Sequence, residues 1–387
     1  LDEVLEVADR VVVINHGSLV GEQHHTDIRR AELVGWSAQG AASAKPNPLT
    51  KVPDKDRPMS SKKDWSKIYV RWGFIVVMCA TFIGVGVFQS AFVTWDNQFS
   101  ILLGVAVVAI LALGVTFTLV IDGLDLSVGS TAAMTVMMSS YCMVVLEWSG
   151  PVTIVACLLI GALIGLVNGL LIVHVGIPDL LATLGTMFLI MGLQLIPSGG
   201  RSIGTGMLLP DGTEAAGAFS QGFLFLGQGR LFGMIPMPVL FMLALAVLIY
   251  GVLEHTRWGR IFYAIGGNPE ASRLVGANVD LYRVMAYVLS GLIAAFGGVV
   301  LAARIGRGDV SSGGSLLLDA VGAALIGFAV LGARRPNAFG TVVGATFIGL
   351  LLNGLTMFNL PYFWQDFIKG LVLVAALAFT FGLARRA

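Results

Sequence analysis

Two carboxylates, Asp122 and Asp125, lie in the run Asp122-Gly123-Leu124-Asp125-Leu126-Ser127-Val128-Gly129-Ser130, between two apolar stretches. Residues 101–121 are apolar throughout, and residues 128–146 more loosely so. The flanking glycines predict a break in a membrane helix, and the backbone groups freed there need new partners. An ionisable side chain at that depth is costly and usually marks a pathway for a solute or an ion. The plainer reading is a solvated turn between two helices, which suits Asp122 better than Asp125. Asn168 and Asn353 raise the same question, because each amide sits mid-span among Leu, Val and Gly. Such an amide either hydrogen-bonds a neighbouring helix for about 1 kcal/mol or lines a route. Gln194, Asp319, Asp366 and Lys369 stand near span ends, and the last two, three residues apart, can pair with each other.

No metal or cofactor is expected. Cys79, Cys142 and Cys157 all fall inside apolar spans and read as small core residues rather than ligands or disulfides. His16, His24 and His25 have no further ligands nearby and read as loop histidines.

These residues need a membrane scaffold to hold them. The chain has 387 residues, of which 56% are hydrophobic and 12% charged, a balance that excludes a soluble domain. A span takes about 20 apolar residues. Candidates cover 69–91, 101–121, 128–146, 151–175, 178–197, 237–253, 284–303, 319–332, 341–358 and 363–383, with 319–332 short enough to be re-entrant. Ten crossings place Lys62, Lys63, Lys67, Arg71, Arg257, Arg260, Arg273, Arg283, Arg334, Arg335, Arg385 and Arg386 on one side. Only Arg201, Arg230, Arg304 and Arg307 fall opposite, so both termini are expected in the cytoplasm. The net charge of +1 gives no sign of a nucleic-acid partner. No cleavable signal peptide is expected.

A shift of 185 residues lays the second half over the first. Gly123, Ser127, Gly129 and Ser130 fall on Gly308, Ser312, Gly314 and Ser315, Asn168-Gly169-Leu170 on Asn353-Gly354-Leu355, and Gly185 on Gly370. Asp125 falls on Val310, one residue from Asp309. The expected fold is therefore an all-α membrane protein of about ten transmembrane helices in two inverted five-helix repeats, about 69–197 and 237–383. Inverted repeats put the substrate route at their interface, lined by interrupted helices. Gly161, Gly165 and Gly169, four apart, are expected to allow close helix packing.

Residues 254–283 form a polar loop on the positive side. Asn268 suits an N-cap, Pro269 the first helical position, Glu270 the positive helix start and Gly276 the end. Trp258 and Tyr263 are expected to anchor at the membrane interface. Together with Gly123–Ser130, the run from Asn268 to Gly276 resembles the ribose-type sugar permeases, membrane subunits of ATP-binding-cassette importers. The resemblance spans about residues 65–387. It implies that Asn268, Pro269, Glu270, Ala271, Arg273 and Gly276 belong to a coupling helix seated on an ATPase subunit. It further implies partner ATPase subunits, a second permease copy (identical or not), an extracytoplasmic solute-binding protein and a bacterial cytoplasmic (inner) membrane. Residues 331–340 depart from the family's glycine-rich turn. Arg334, Arg335 and Pro336 suit a cytoplasmic loop with a second ATPase contact.

The first sixty residues differ in kind. Leu1 to Arg10 reads as helix, and Val11–Ile14, Asn15–Gly17 and Ser18–Glu22 as strand, turn and strand. Residues 1–35 look like the part of a transporter ATPase that follows its switch histidine. No G-x-x-x-x-G-K-[ST] run occurs, so no nucleotide site of that kind is present. A fused or split gene and a mis-assigned start both account for this segment. Residues 36–67 read as a flexible linker and 68–387 as the permease domain.

The reading is a permease subunit that carries a monosaccharide or similar small polar solute, with ATP hydrolysis left to partners, so the chain itself is no enzyme. Its pathway residues are Asp125, Ser127, Asn168, Ser312 and Asn353. The alternatives are an ion-coupled secondary transporter and a non-transport membrane scaffold.

Overall fold

The computed structural model describes residues 10–15, 18–24, 65–208, 212–329, 335–361, 363–365, 367–372 and 374. It divides into two units, Leu1–Lys63 and Asp64–Ala387. In the first, β1 (Arg10–Asn15) pairs antiparallel with β2 (Ser18–His24), Arg10 opposite His24 and Asn15 opposite Ser18. The helix expected before β1 and residues 36–64 of the expected linker lie outside the described residues. Residues 65–67 belong to a helix rather than to the linker.

Among its described residues the second unit is mostly helical, with a short hairpin of β3 (Arg230–Leu231) and β4 (Ile235–Pro236). Its helices are α1 (Trp65–Phe88), α2 (Trp95–Val120), α3 (Val128–Ser140), α4 (Gly150–Val173), α5 (Asp179–Leu193) and α6 (Gln221–Gln228). There follow α7 (Met237–His255), α8 (Arg257–Gly267), α9 (Pro269–Leu274), α10 (Val279–Ile305), α11 (Gly314–Ala329) and α12 (Ala338–Met357). A turn of wider π-type winding, Tyr141–Val145, extends α3. Among the described residues six helices are long and apolar enough to cross a membrane: α2, α3 with its extension, α4, α7, α10 and α12. Three shorter apolar helices cover Val76–Phe88, Asp179–Leu193 and Leu316–Phe328. The 16 residues of α11 reach about 24 Å at 1.5 Å per residue, short of a hydrocarbon core of about 30 Å. The expected span 363–383 lies partly outside the described residues.

Sequence explains the longest helix. Asn278 caps α10 by accepting a hydrogen bond from the Leu281 N–H at 3.2 Å. Gly306, at φ +63, ends it in the left-handed conformation that glycine adopts without a Cβ clash. That gives 27 residues where hydropathy alone marks 284–303.

Burial separates inner from outer helices. In the apolar windows of α2 and α3, 78% and 83% of residues are buried, against 28% and 33% in α4 and α7. α4 shows why. Val152, Val155, Leu159, Leu163 and Leu166, three or four apart, form one exposed face suited to lipid. Gly161, Gly165 and Gly169 form the opposite face and pack on α10. A Cβ on Gly161 would meet the Gly291 carbonyl oxygen, and one on Gly291 would meet that of Gly161. Lipid is as apolar as leucine, so close backbone approach and dispersion hold this crossing together. Cys142 and Cys157 are buried, as expected of core residues, whereas Cys79 on α1 is exposed. Lys369 Nζ donates to Asp319 Oδ1 at 2.8 Å, and Asp366 lies outside the described residues.

Candidate functional site: a broken-helix joint and the loop 254–283

The chain leaves α2 through a tight turn. Gly123 N–H donates to the Thr118 carbonyl at 2.9 Å, and Asp122 takes a left-handed conformation at φ +59. Asp122 is exposed, in keeping with the plainer reading of that carboxylate. Leu124 N–H then donates to Asp179 Oδ2 at 2.7 Å, tying the break to the start of α5.

Asp125 turns inward and is fully buried. Its Oδ1 accepts from the Ser127 N–H at 2.9 Å and from the Ser127 hydroxyl at 2.6 Å. Its Oδ2 accepts from the Ser290 hydroxyl of α10 at 2.8 Å. Asn168 of α4 donates to Ser127 Oγ at 2.8 Å, and its own oxygen accepts from Thr186 of α5 at 2.7 Å. One buried network therefore joins α3, α4, α5 and α10 through Asp125, Ser127, Asn168, Ser290 and Thr186. The donors to Asp125 among the described residues are neutral, and they satisfy the buried carboxylate as burial requires. In this conformation the three sequence candidates Asp125, Ser127 and Asn168 are sealed from solvent. The buried hydroxyl of Tyr287 lies 2.6 Å from where a Cβ on Gly123 would stand, so a larger residue there would have to displace it.

The other two candidates lie elsewhere. Asn353 exchanges amide hydrogen bonds with Asn97 of α2, at 3.1 and 3.2 Å. Ser312 lies in the turn before α11, its N–H donating to the Asp309 carbonyl at 3.2 Å. The side chain that organises this turn is that of Asp309. Its Oδ1 accepts from the Ser311 N–H at 3.0 Å and the Ser311 hydroxyl at 2.8 Å, and Arg307 bonds Oδ2 at 3.0 Å. The Ser311 donors, then Arg307, hold the Asp309 carboxyl below the usual carboxylate range. The signal for Asp309 and Ser311 was present as a second Asp-x-Ser, Asp309-Val310-Ser311, but an alignment anchored on glycines passes over it by one residue.

On the charged side of the molecule, α8 rests on the end of α2. A Cβ on Gly266 would meet the Val120 carbonyl oxygen, and Phe262 stacks edge-on against Phe117 with centroids 5.9 Å apart. The coupling candidates form the next helix, α9. Asn268 caps it, accepting from the Ala271 N–H at 2.9 Å, Pro269 starts it, and Gly276 at φ +90 turns the chain out of it. Glu270 pairs with Arg273 at 3.0 Å, and Arg273 also holds Asp280 at 2.7 Å. The sequence reading did not single out Leu274 and Val275, which are 89% and 84% exposed at the tip of this frame.

A second loop is fastened to the first. Arg335 bonds Glu254 at 2.7 Å, and its guanidinium lies 4.6 Å from the centre of the Tyr263 ring. The Tyr263 hydroxyl donates to the Pro336 carbonyl at 2.7 Å. Burial, followed by the Glu254 charge, raises the pKa of that hydroxyl. Tyr263 thus clasps the two loops together, while Trp258 is 57% exposed.

Comparison with known proteins adds the family. Residues 97–377 match the model of the branched-chain amino acid transport system permease component. The ribose import permease RbsC of Escherichia coli K12 is 34% identical over 285 residues, 74% of this chain and 85% of that protein. RbsC of Haemophilus influenzae is 33% identical over 292 residues, 76% and 87% of the two chains. The autoinducer 2 import permease LsrC of Salmonella typhimurium is 32% identical over 305 residues, 79% and 83%. No solved structure matches. The match covers the joint, the loop 254–283 and six membrane-length helices, and hydrolysis of ATP in such importers is the work of partner subunits. The chain therefore belongs to the family of permease components of ATP-binding-cassette importers.

Proposed function

We propose that this permease moves a monosaccharide-type solute across a bacterial inner membrane, and that its cytoplasmic loop 254–283 couples the movement to ATPase partners. Relatives named for ribose and for autoinducer 2 support a small polar solute over an amino acid. The proposed arrangement has ten membrane helices in two inverted repeats, with both termini cytoplasmic. A second permease copy and an extracytoplasmic binding protein complete the importer. Helix bounds support the repeat: a shift of 184 residues carries 95–120 onto 279–304, beside α10, and 150–173 onto 334–357, beside α12.

One observation carries the coupling assignment. Leu274 and Val275 stand exposed among Glu270, Arg273 and Asp280, in the polar loop before α10. Two large apolar side chains at an aqueous tip suit a partner's apolar groove. The ion pairs frame the tip and keep α9 rigid, while α8 links it to the end of α2, five residues before Asp125. In this proposal Asp125, Ser127 and Asn168 belong to the route as the buried joint on which α3 turns. Ser312 and Asn353 lie on its far side.

The test is a reconstituted complex with the ATPase partner. Leu274→Ser with Val275→Ser should lower solute-stimulated ATP hydrolysis about tenfold, the loss of two modest apolar anchors. The permease itself should melt unchanged, because both side chains are already in water. Full stimulation in that variant contradicts the coupling assignment.

A further inference from the structure

Two turns of this chain are built alike. In each, an aspartate Oδ1 accepts from the N–H and the hydroxyl of the serine two residues on: Asp125 from Ser127 at 2.9 and 2.6 Å, Asp309 from Ser311 at 3.0 and 2.8 Å. Each turn opens an apolar helix, α3 at Val128 and α11 at Gly314. Two residues after each serine stands a glycine, and these two glycines touch reciprocally. A Cβ on Gly129 would lie 2.9 Å from the Gly313 carbonyl oxygen, and one on Gly313 would lie 3.1 Å from that of Gly129. The spacing between equivalents is 184 residues. It also carries Gly165, packed on α10, to Gly349, packed on α2 at Val105. The Asn168 and Asn353 match at 185 joins residues in different surroundings, one on Ser127 and the other on Asn97.

We propose that Asp309 is a positioning residue for transport, the counterpart of Asp125, and that the two joints move as one unit through the Gly129–Gly313 contact. This rests on the inverted-repeat reading above. The two joints differ in one respect. Asp125 is fully buried, whereas the Asp309 side chain keeps 24% of its surface exposed and holds Arg307. In this conformation the second joint meets water and the first does not. Alternating access exchanges those exposures. Asp309 acts through the backbone: it fixes the turn that leads into α11, that turn meets α3 at the glycines, and α3 carries the Asp125 joint.

The test uses the assembled complex with its ATPase partners, with Cys79, Cys142 and Cys157 replaced. Leu126→Cys, in the middle of the first turn, reports its exposure to a small charged thiol reagent. With Asp309 intact, reactivity should differ between nucleotide-free and vanadate-trapped complexes. Asp309→Ala should abolish that difference and lower uptake about tenfold, with the complex still assembled, because the two hydrogen bonds from Ser311 and the one from Arg307 to the carboxylate are lost. Asp309→Asn keeps the accepting oxygen and should retain both properties within about threefold. Uptake at wild-type rate in Asp309→Ala, or an Asn variant no better than Ala, overturns the proposal. So does lost uptake with Leu126→Cys still responding, which would confine Asp309 to a local role. A reporter that never responds, even with Asp309 intact, overturns the inverted-repeat reading itself and the proposal with it.

Discussion

Asp125→Leu is expected to abolish uptake and to lower the stability of the purified permease by about 2–3 kcal/mol, read as a fall in melting temperature in detergent. The leucine fills the space but accepts nothing. It strands the Ser127 N–H, the Ser127 hydroxyl and the Ser290 hydroxyl inside the protein. Each buried orphan costs about 1–3 kcal/mol. The two hydroxyls can turn to other acceptors, so the N–H accounts for most of the loss. Asp125→Asn keeps one accepting oxygen and should melt closer to wild type. Asp122→Asn should change little, since Asp122 is exposed. Equal melting of the Asp125→Leu and wild-type proteins would mean that the joint is not held by this network.

Gly291→Val is expected to prevent the permease from accumulating as a folded, monodisperse protein. The added side chain meets the carbonyl oxygen and carbon of Gly161, and its Cβ lies 3.0 Å from the Gly165 backbone nitrogen. These neighbours are backbone atoms of α4, which cannot rotate away as a side chain can. Overpacking a tight core costs about 1–3 kcal/mol where side chains relax, and more where two helices must part. Gly161→Val should behave alike, because the contact is reciprocal. Gly185→Ala is the control. Nothing lies within 4 Å of a Cβ there, and alanine is the better helix former. Normal yield and melting of Gly291→Val would show that α4 and α10 do not cross at these glycines.

The comparison of sequence with structure divides along physical lines. Hydropathy marked the long spans well, because twenty apolar residues admit few other arrangements. The glycine stripe of α4 was legible for the same kind of reason: spacing by four places small residues on one helix face. The cap of α9 was legible too, since Asn268-Pro269-Glu270 acts through neighbours in the chain. Partners distant in sequence were not. Ser290 lies 165 residues from Asp125, and Asn97 lies 256 from Asn353, so neither pairing leaves a local trace. Exposure was hidden as well. Leu274 and Val275 read as ordinary apolar residues until the fold left them in water. The second break was found, but its Asp309–Ser311 pairing was missed by one residue of register, because abundant glycines align at 185 as readily as the two Asp-x-Ser turns do at 184.

The source of energy tests the central claim most directly. Proteoliposomes should contain this permease with its ATPase partner, with the binding protein and radiolabelled D-ribose supplied on the extracytoplasmic face. The account predicts ribose accumulation that requires ATP on the cytoplasmic face and is unaffected when proton and sodium gradients are collapsed. Accumulation driven by an imposed ion gradient, with the ATPase absent, would contradict it and favour an ion-coupled secondary transporter.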